Sequence, residues 1–230
     1  MKMTQTIGAV VLLGASVAVF QVGALASGSA VPSAPAGPSA PNRSPEEMAI
    51  ASYNSGIDHK DKGLKLEAAA VAVANPKDRA KADDKAKNEY QKALKDFKSA
   101  ASGSPNMYQA YNGMGFSYRK TGDYVKALEM YDKALQLKPG FPDAIEYRGE
   151  AYLGLNRIDD AKQAYLQVLA SDRKQADTLM AAMKTWIEEH KATPGAVDAA
   201  TISGLETWIG ERGEIAKDTA AMGLSHGPRW

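Results

Sequence analysis

No cysteine occurs in the 230 residues, and histidine appears only three times. That excludes disulfides, thiolate metal sites, thiol nucleophiles and lipid attachment through an N-terminal cysteine. An excess of charge is missing as well, since 28 basic residues face 27 acidic ones. Lys2 is the sole charge within residues 1–26, so the remainder balances to zero. Such a chain has no bulk electrostatic reason to seek nucleic acid or an anionic membrane. Long apolar stretches are scarce too, and the one that stands out lies at the very start, Ile7 to Ala26.

That stretch has the parts of a secretory signal. Lys2 supplies the positive start, Ile7 to Phe20 the apolar middle, and Ala24-Leu25-Ala26 a small-x-small cleavage site, so residues 1–26 read as a signal peptide. The rival reading is an uncleaved anchor, because Ile7 to Ala26 just suffices to span a bilayer. Both place the folded part outside the cytoplasm, periplasmic or secreted. Residues 27–43 form a Pro/Ala/Ser-rich linker in which Pro32, Pro35, Pro38 and Pro41 recur at the three-residue period of polyproline II. It is read either as an extended tether or as a leader that only clears the processing site.

Ordered structure is expected from Ser44, where Ser44-Pro45-Glu46-Glu47 combines an N-cap serine, a first-turn proline and a capping-box glutamate. Downstream, residue types recur every 34 positions. Ala93, Ala127 and Ala161 share this spacing, as do Phe97, Tyr131 and Tyr165, and Ala100, Ala134 and Val168. Pro105, Pro139 and Arg173 continue it, and Gly115 pairs with Gly149 and Tyr118 with Tyr152. Each unit reads as two helices, in one case Asn106 to Lys120 and Tyr124 to Gln136. Gly115 and Ala127 fall where bulk would hold the paired helices apart, while Tyr118 and Tyr131 lie on inward stripes. Gly122 suits a left-handed residue at the turn, with Asp123 as the following cap and Asn156 as its counterpart one unit later.

The segment Tyr111-x2-Met114-Gly115-x2-Tyr118, continuing to Ala127-x3-Tyr131 and Pro139, resembles the tetratricopeptide repeat family. The next unit keeps Gly149, Tyr152, Ala161 and Tyr165 but departs at Arg148 and Arg173, as an array that is ending would. The resemblance covers Asn88 to Arg173. It implies an all-α fold, a right-handed helical solenoid, whose work is to hold other proteins without catalysis.

Around those two units, residues 106–173, the rest is assigned by pattern. Residues 44–105 read as an interrupted first unit in which Gly56 takes the part of Gly115. Its extra sequence, Ala68 to Lys87, predicts two helices extended beyond the ordinary repeat and meeting near Pro76, with a mobile loop as the alternative. About twelve extra residues per helix would project roughly 18 Å. Residues 174–217 predict two capping helices, Ala176 to Lys191 and Val197 to Ile215, whose Trp186-Ile187 and Trp208-Ile209 pairs cover the end of the array. Residues 218–230 read as an unstructured tail.

Apparent catalytic motifs do not hold up. Gly223-Leu224-Ser225-His226-Gly227 spells a nucleophile elbow but has no strand before it and no partners after it. Gly113-Met114-Gly115 lacks the third glycine of a dinucleotide loop, and Asp58 to Ala69 lacks the ligands of a calcium loop. His59 and His190 read as surface histidines on solvated helix faces. No catalytic residue, metal site or cofactor is expected.

The resemblance further implies a concave groove lined by the first helix of each unit. The positions facing it are Gln109, Asn112, Phe116, Arg119 and Lys120 in one unit, then Asp143, Glu146, Glu150 and Leu153 in the next. On this reading Asn112 fixes a peptide backbone and Phe116 takes an apolar side chain of a protein partner. The alternative is a structural spacer or self-associating subunit that uses the extended hairpin as its contact.

Overall fold

The computed structural model describes residues 43–193, 195 and 197–221, with side chains to residue 214. The signal segment, nearly all of the linker and the Gly223 to Gly227 motif lie outside the described residues. Within them the chain is wholly helical: α1 (Pro45–Val71), α2 (Pro76–Gly103), α3 (Tyr108–Lys120), α4 (Tyr124–Leu137), α5 (Pro142–Gly154), α6 (Ile158–Leu169), α7 (Arg173–Ala192) and α8 (Ala199–Ala221). None of these helices is long and apolar enough to cross a membrane.

Consecutive helices pair as antiparallel hairpins, and each hairpin stacks on the next. The first helices α1, α3, α5 and α7 also touch their successors, whereas α2, α4 and α6 have no comparable contact with one another. The array is therefore an α-helical solenoid that is tighter on its first-helix side. That side is the inner face.

Local sequence explains where each helix starts. The Ser44 hydroxyl accepts from the Glu47 amide and the Glu47 carboxylate accepts from the Ser44 amide, a complete capping box. Asn75 caps α2 by accepting from the Lys77 amide at 2.9 Å, with Pro76 at the first helical position. Asp123 and Asp172 cap α4 and α7 in the same way. The turn after α3 uses Gly122 at φ 89°, and the equivalent turn after α5 uses Asn156 at φ 56°. Both residues tolerate the left-handed region that an L side chain with a branched or bulky Cβ avoids.

The first hairpin carries the extension. Helices α1 and α2 run 27 and 28 residues, against 13 and 14 for α3 and α4. The extra segment is helix on both sides of a short turn at residues 72–75. A methyl group at Gly56 would lie 2.6 Å from the Phe97 ring, and one at Gly115 would lie 2.5 Å from Tyr131. Those two glycines therefore hold the same place in successive units. Gly149 departs from the pattern, because its space is closed by Leu179 of α7 at 2.5 Å.

His59 is not a solvated surface histidine. Its Nδ1 lies 2.7 Å from the carboxylate of Glu89, which is 5% exposed and also accepts from Lys62 and Lys92. Lys92 foremost, then His59, holds the Glu89 carboxyl down at about 2. His190 stacks on Trp186 with ring centres 4.1 Å apart.

At the other end, α7 and α8 close the stack over a core that includes Ile145, Leu179, Met183 and Leu205. Trp186 is 5% exposed and donates from Nε1 to the Asn156 side chain, while Trp208 meets Tyr165 edge-on. Helix α8 continues to Ala221, past residue 217 where its apolar pattern fades.

Candidate protein-binding groove

The inner face is built from one stripe of each first helix. Towards the C-terminal half it opens into a cavity of about 470 Å³. Its walls include Glu67 of α1, Arg119 and Lys120 of α3, Glu150 of α5, and Trp186 and Glu189 of α7. A smaller cavity of about 80 Å³ lies between α1, α3 and α5, bordered by Tyr53, Lys60, Gln109, Asn112, Asp143 and Tyr147.

Eight of the nine positions singled out from the sequence border one of these two cavities: Gln109, Asn112, Arg119, Lys120, Asp143 and Glu150 with part-exposed side chains, Phe116 and Leu153 with buried ones. Glu146 alone of the nine borders neither cavity. Phe116 is 4% exposed and Glu146 is 0% exposed.

Phe116 is enclosed by aromatic rings from the unit before it and the unit after it. Tyr90 of α2 meets its ring edge-on at 5.8 Å, and Tyr147 of α5 meets it at 5.3 Å. Lys60 of α1 and Arg119 stand over the same ring at 5.6 and 5.3 Å from its centre. Phe116 therefore forms part of the floor of the smaller cavity, with its ring already covered on several sides.

The groove cations are already engaged. Lys120 Nζ contacts the Glu67 carboxylate at 2.5 Å, reaching from α3 to the extended part of α1. Arg119 pairs with Glu150 of the following unit, one helix further along. Asp143 accepts from the side-chain amide of Gln175 on α7. These contacts tie four successive first helices together across the inner face. They leave three carboxylates, Glu67, Glu150 and Glu189, around a cavity with two cations.

Unspent hydrogen-bonding capacity collects beneath this surface. Asn112 Oδ1, Arg119 Nε, the Tyr131 hydroxyl and both carboxylate oxygens of Glu146 are buried without a partner. Burial pushes the Glu146 carboxyl up to about 7; nearby Arg119 opposes the shift and Asp143 adds to it. Burial likewise raises the hydroxyls of Tyr131 and Tyr147.

Sequence reasoning missed Glu67, Lys60, Tyr90 and Glu189. Tyr90 keeps the 34-residue register of Tyr124, and Lys60 falls on Arg119 once Gly56 is set against Gly115, so that register could have found both. Glu67 lies past the repeat length, where nothing aligns it. Trp186 was read as core, and most of it is, but one edge borders the larger cavity.

Comparison with known proteins agrees with this architecture. Two family models described as tetratricopeptide repeat match residues 83–142 and 118–187. Among curated relatives, a CTR9 homolog protein of Arabidopsis thaliana is 32% identical over 97 residues, covering 42% of this chain and 9% of that protein. A Hsp70-Hsp90 organising protein of Plasmodium falciparum is 28% identical over 83 residues, covering 36% of this chain and 33% of that protein. The chain thus spans a third or less of the length of these relatives. Among solved structures, the second TPR domain of human RPAP3 in complex with an HSP70 peptide is 19% identical, with 59% of this chain and 98% of that chain covered and a TM-score of 0.43. The crystal structure of MamA protein is 22% identical, with 57% and 95% covered and a TM-score of 0.35. Through residues 83–187 the chain belongs to the tetratricopeptide repeat family.

Proposed function

We propose that this chain is a non-catalytic scaffold that holds a segment of another protein along its inner face, and that the segment carries lysine or arginine. The observation that carries this reading is the state of the groove cations. Arg119 and Lys120 are each neutralised by a carboxylate of a neighbouring unit, so an acidic segment would have to break existing ion pairs to be gripped. Glu189 and the outward edge of Glu150 remain as acceptors for a cation. Gln109 and Asn112 supply amides of the kind that hold an extended backbone. The N-terminal signal pattern supports an envelope or extracellular setting for this work.

An array of immobilised peptides tests the ligand class. Retention of Lys/Arg-bearing peptides, weakened by Glu150→Lys together with Glu189→Lys, is the expected result. Retention of acidic peptides alone would overturn it.

A second reading rests on a separate surface. Leu64 and Val71 of α1 are 38% and 76% exposed, with Ala68 and Ala72 exposed beside them on the extended hairpin. An apolar stripe of this kind favours self-association through the hairpin. Sedimentation across a concentration series distinguishes the readings, since only self-association through that stripe is lost in a Leu64→Lys, Val71→Lys variant.

A further inference from the structure

Arg119 acts on two carboxylates of α5, pairing with Glu150 and influencing Glu146 electrostatically, and these lie four residues apart, hence on one helical face. Glu150 is the outer one, part-exposed, and it holds the Arg119 Nη1. Glu146 is the inner one, wholly buried, and neither of its oxygens has a hydrogen-bond partner. Arg119 Nε is also buried without a partner. Arg119 acts on both the Glu146 carboxyl and the Tyr131 hydroxyl, while its direct ion pair is made to Glu150 alone. Each unpartnered buried atom costs free energy that a change of partner would recover.

We propose that Arg119 is a counter-ion shared between Glu146 and Glu150, passing inward when Glu146 ionises and so exposing Glu150 as a free anion in the groove. Its consequence for ligand binding rests on the groove reading above; the exchange itself does not. With Glu146 protonated, Arg119 stays outward and the groove shows a neutral Arg119–Glu150 pair. With Glu146 ionised, the uncompensated charge in a low-dielectric site draws the guanidinium inward. The groove then gains one unpaired carboxylate, which favours a cationic segment.

The other groups facing Glu146 fit this arrangement. From α4 comes the Tyr131 hydroxyl, buried without a partner. From α5 itself come Asp143, whose charge opposes ionisation, and Tyr147. From α7 comes the neutral amide of Gln175, already donating to Asp143, and no charged group of α6 or α7 acts on the Glu146 carboxyl. Among the described residues, Arg119 is the one cation acting on it. Lys60 of α1 stands over Phe116, and Asp61 acts on Tyr147.

Carbon- and nitrogen-detected NMR titration of the full chain tests the exchange without any ligand. The Glu146 carboxyl is expected to titrate at about 7. The Arg119 Nε resonance and the Glu150 carboxyl should both show an inflection at that same midpoint. In Glu146→Gln both inflections should vanish. A Glu146 midpoint in the ordinary carboxylate range, or an Arg119 resonance that ignores the Glu146 titration, would overturn the proposal. The wild-type titration needs no variant, so it decides the question even if a substituted chain fails to fold. Because no ligand enters the measurement, the exchange can fail while the groove reading stands, and the reverse.

Discussion

Gly63 of α1 lies against the ring of Tyr90 on α2, in the same contact that Gly56 makes with Phe97 seven residues away on each helix. The first hairpin therefore repeats its glycine-against-ring packing at the base of the extra segment, within which Ala70 and Ala86 are both 2% exposed. That segment is a continuation of the core and not an appended loop. Filling that contact should be costly: Gly63→Val is expected to destabilise the chain by about 1–3 kcal/mol in urea denaturation followed by circular dichroism. Tyr90→Ala should remove most of the additional penalty, so the double variant should be less unstable than the sum of the two single variants.

The same hairpin bears on how far the sequence could be read. The 34-residue spacing of Ala93, Ala127 and Ala161 made the two regular units legible, because every position of a repeat has an aligned counterpart. The extension was legible as helix from its alanine-rich composition and its Asn75-Pro76 turn. Its contacts across to α3 were not, since Glu67 lies past the repeat length and has no counterpart in the period. The burial of Phe116 comes from Tyr90 and Tyr147, contributed by the units on either side, and a stripe on one helix does not show how deep such neighbours bury it. Glu146 was misread for a related reason: its register places it on the inner face, but depth beneath that face depends on how Tyr131, Tyr147 and Arg119 pack around it.

Glu146 should make stability depend on pH in the sense opposite to an ordinary paired carboxylate. Its carboxyl is raised from 4.5 to about 7 in the folded chain, so the unfolded chain ionises first as pH rises. Stability is therefore complete below 4.5, falls as pH climbs towards 7 and stays reduced above it. Glu146→Gln removes this dependence. Relative to that variant, the wild type should lose about 3 kcal/mol across the window, by chemical denaturation at a series of pH values.

Glu89 gives the contrary sign. Lys92 and His59 hold its carboxyl down at about 2, so its contribution is present above 4.5 and lost as pH falls through about 2. Thermal unfolding of Glu89→Gln should start from a lower midpoint at neutral pH and show a shallower decline on acidification. Identical acid profiles for variant and wild type would remove Glu89 as the pH-sensitive clasp of the first hairpin.

The closing hairpin should matter for stability more than for the groove. Leu205 is fully buried between α7 and the end of the array. Leu205→Ala should cost about 2–5 kcal/mol, read from the denaturation midpoint, while the retention of Lys/Arg-bearing peptides below the unfolding transition should be preserved.

The central claim is that the inner face holds another protein. Photo-crosslinking residues placed at Gln109 and at Thr185, which border the two groove cavities, test it against one placed at the exposed Lys133 on the outer side of α4. The account predicts that a single partner crosslinks from Gln109 and Thr185 but not from Lys133, and that the crosslinked peptide contains lysine or arginine. Crosslinks from Lys133 alone, or from the groove positions only to further copies of this chain, would contradict it.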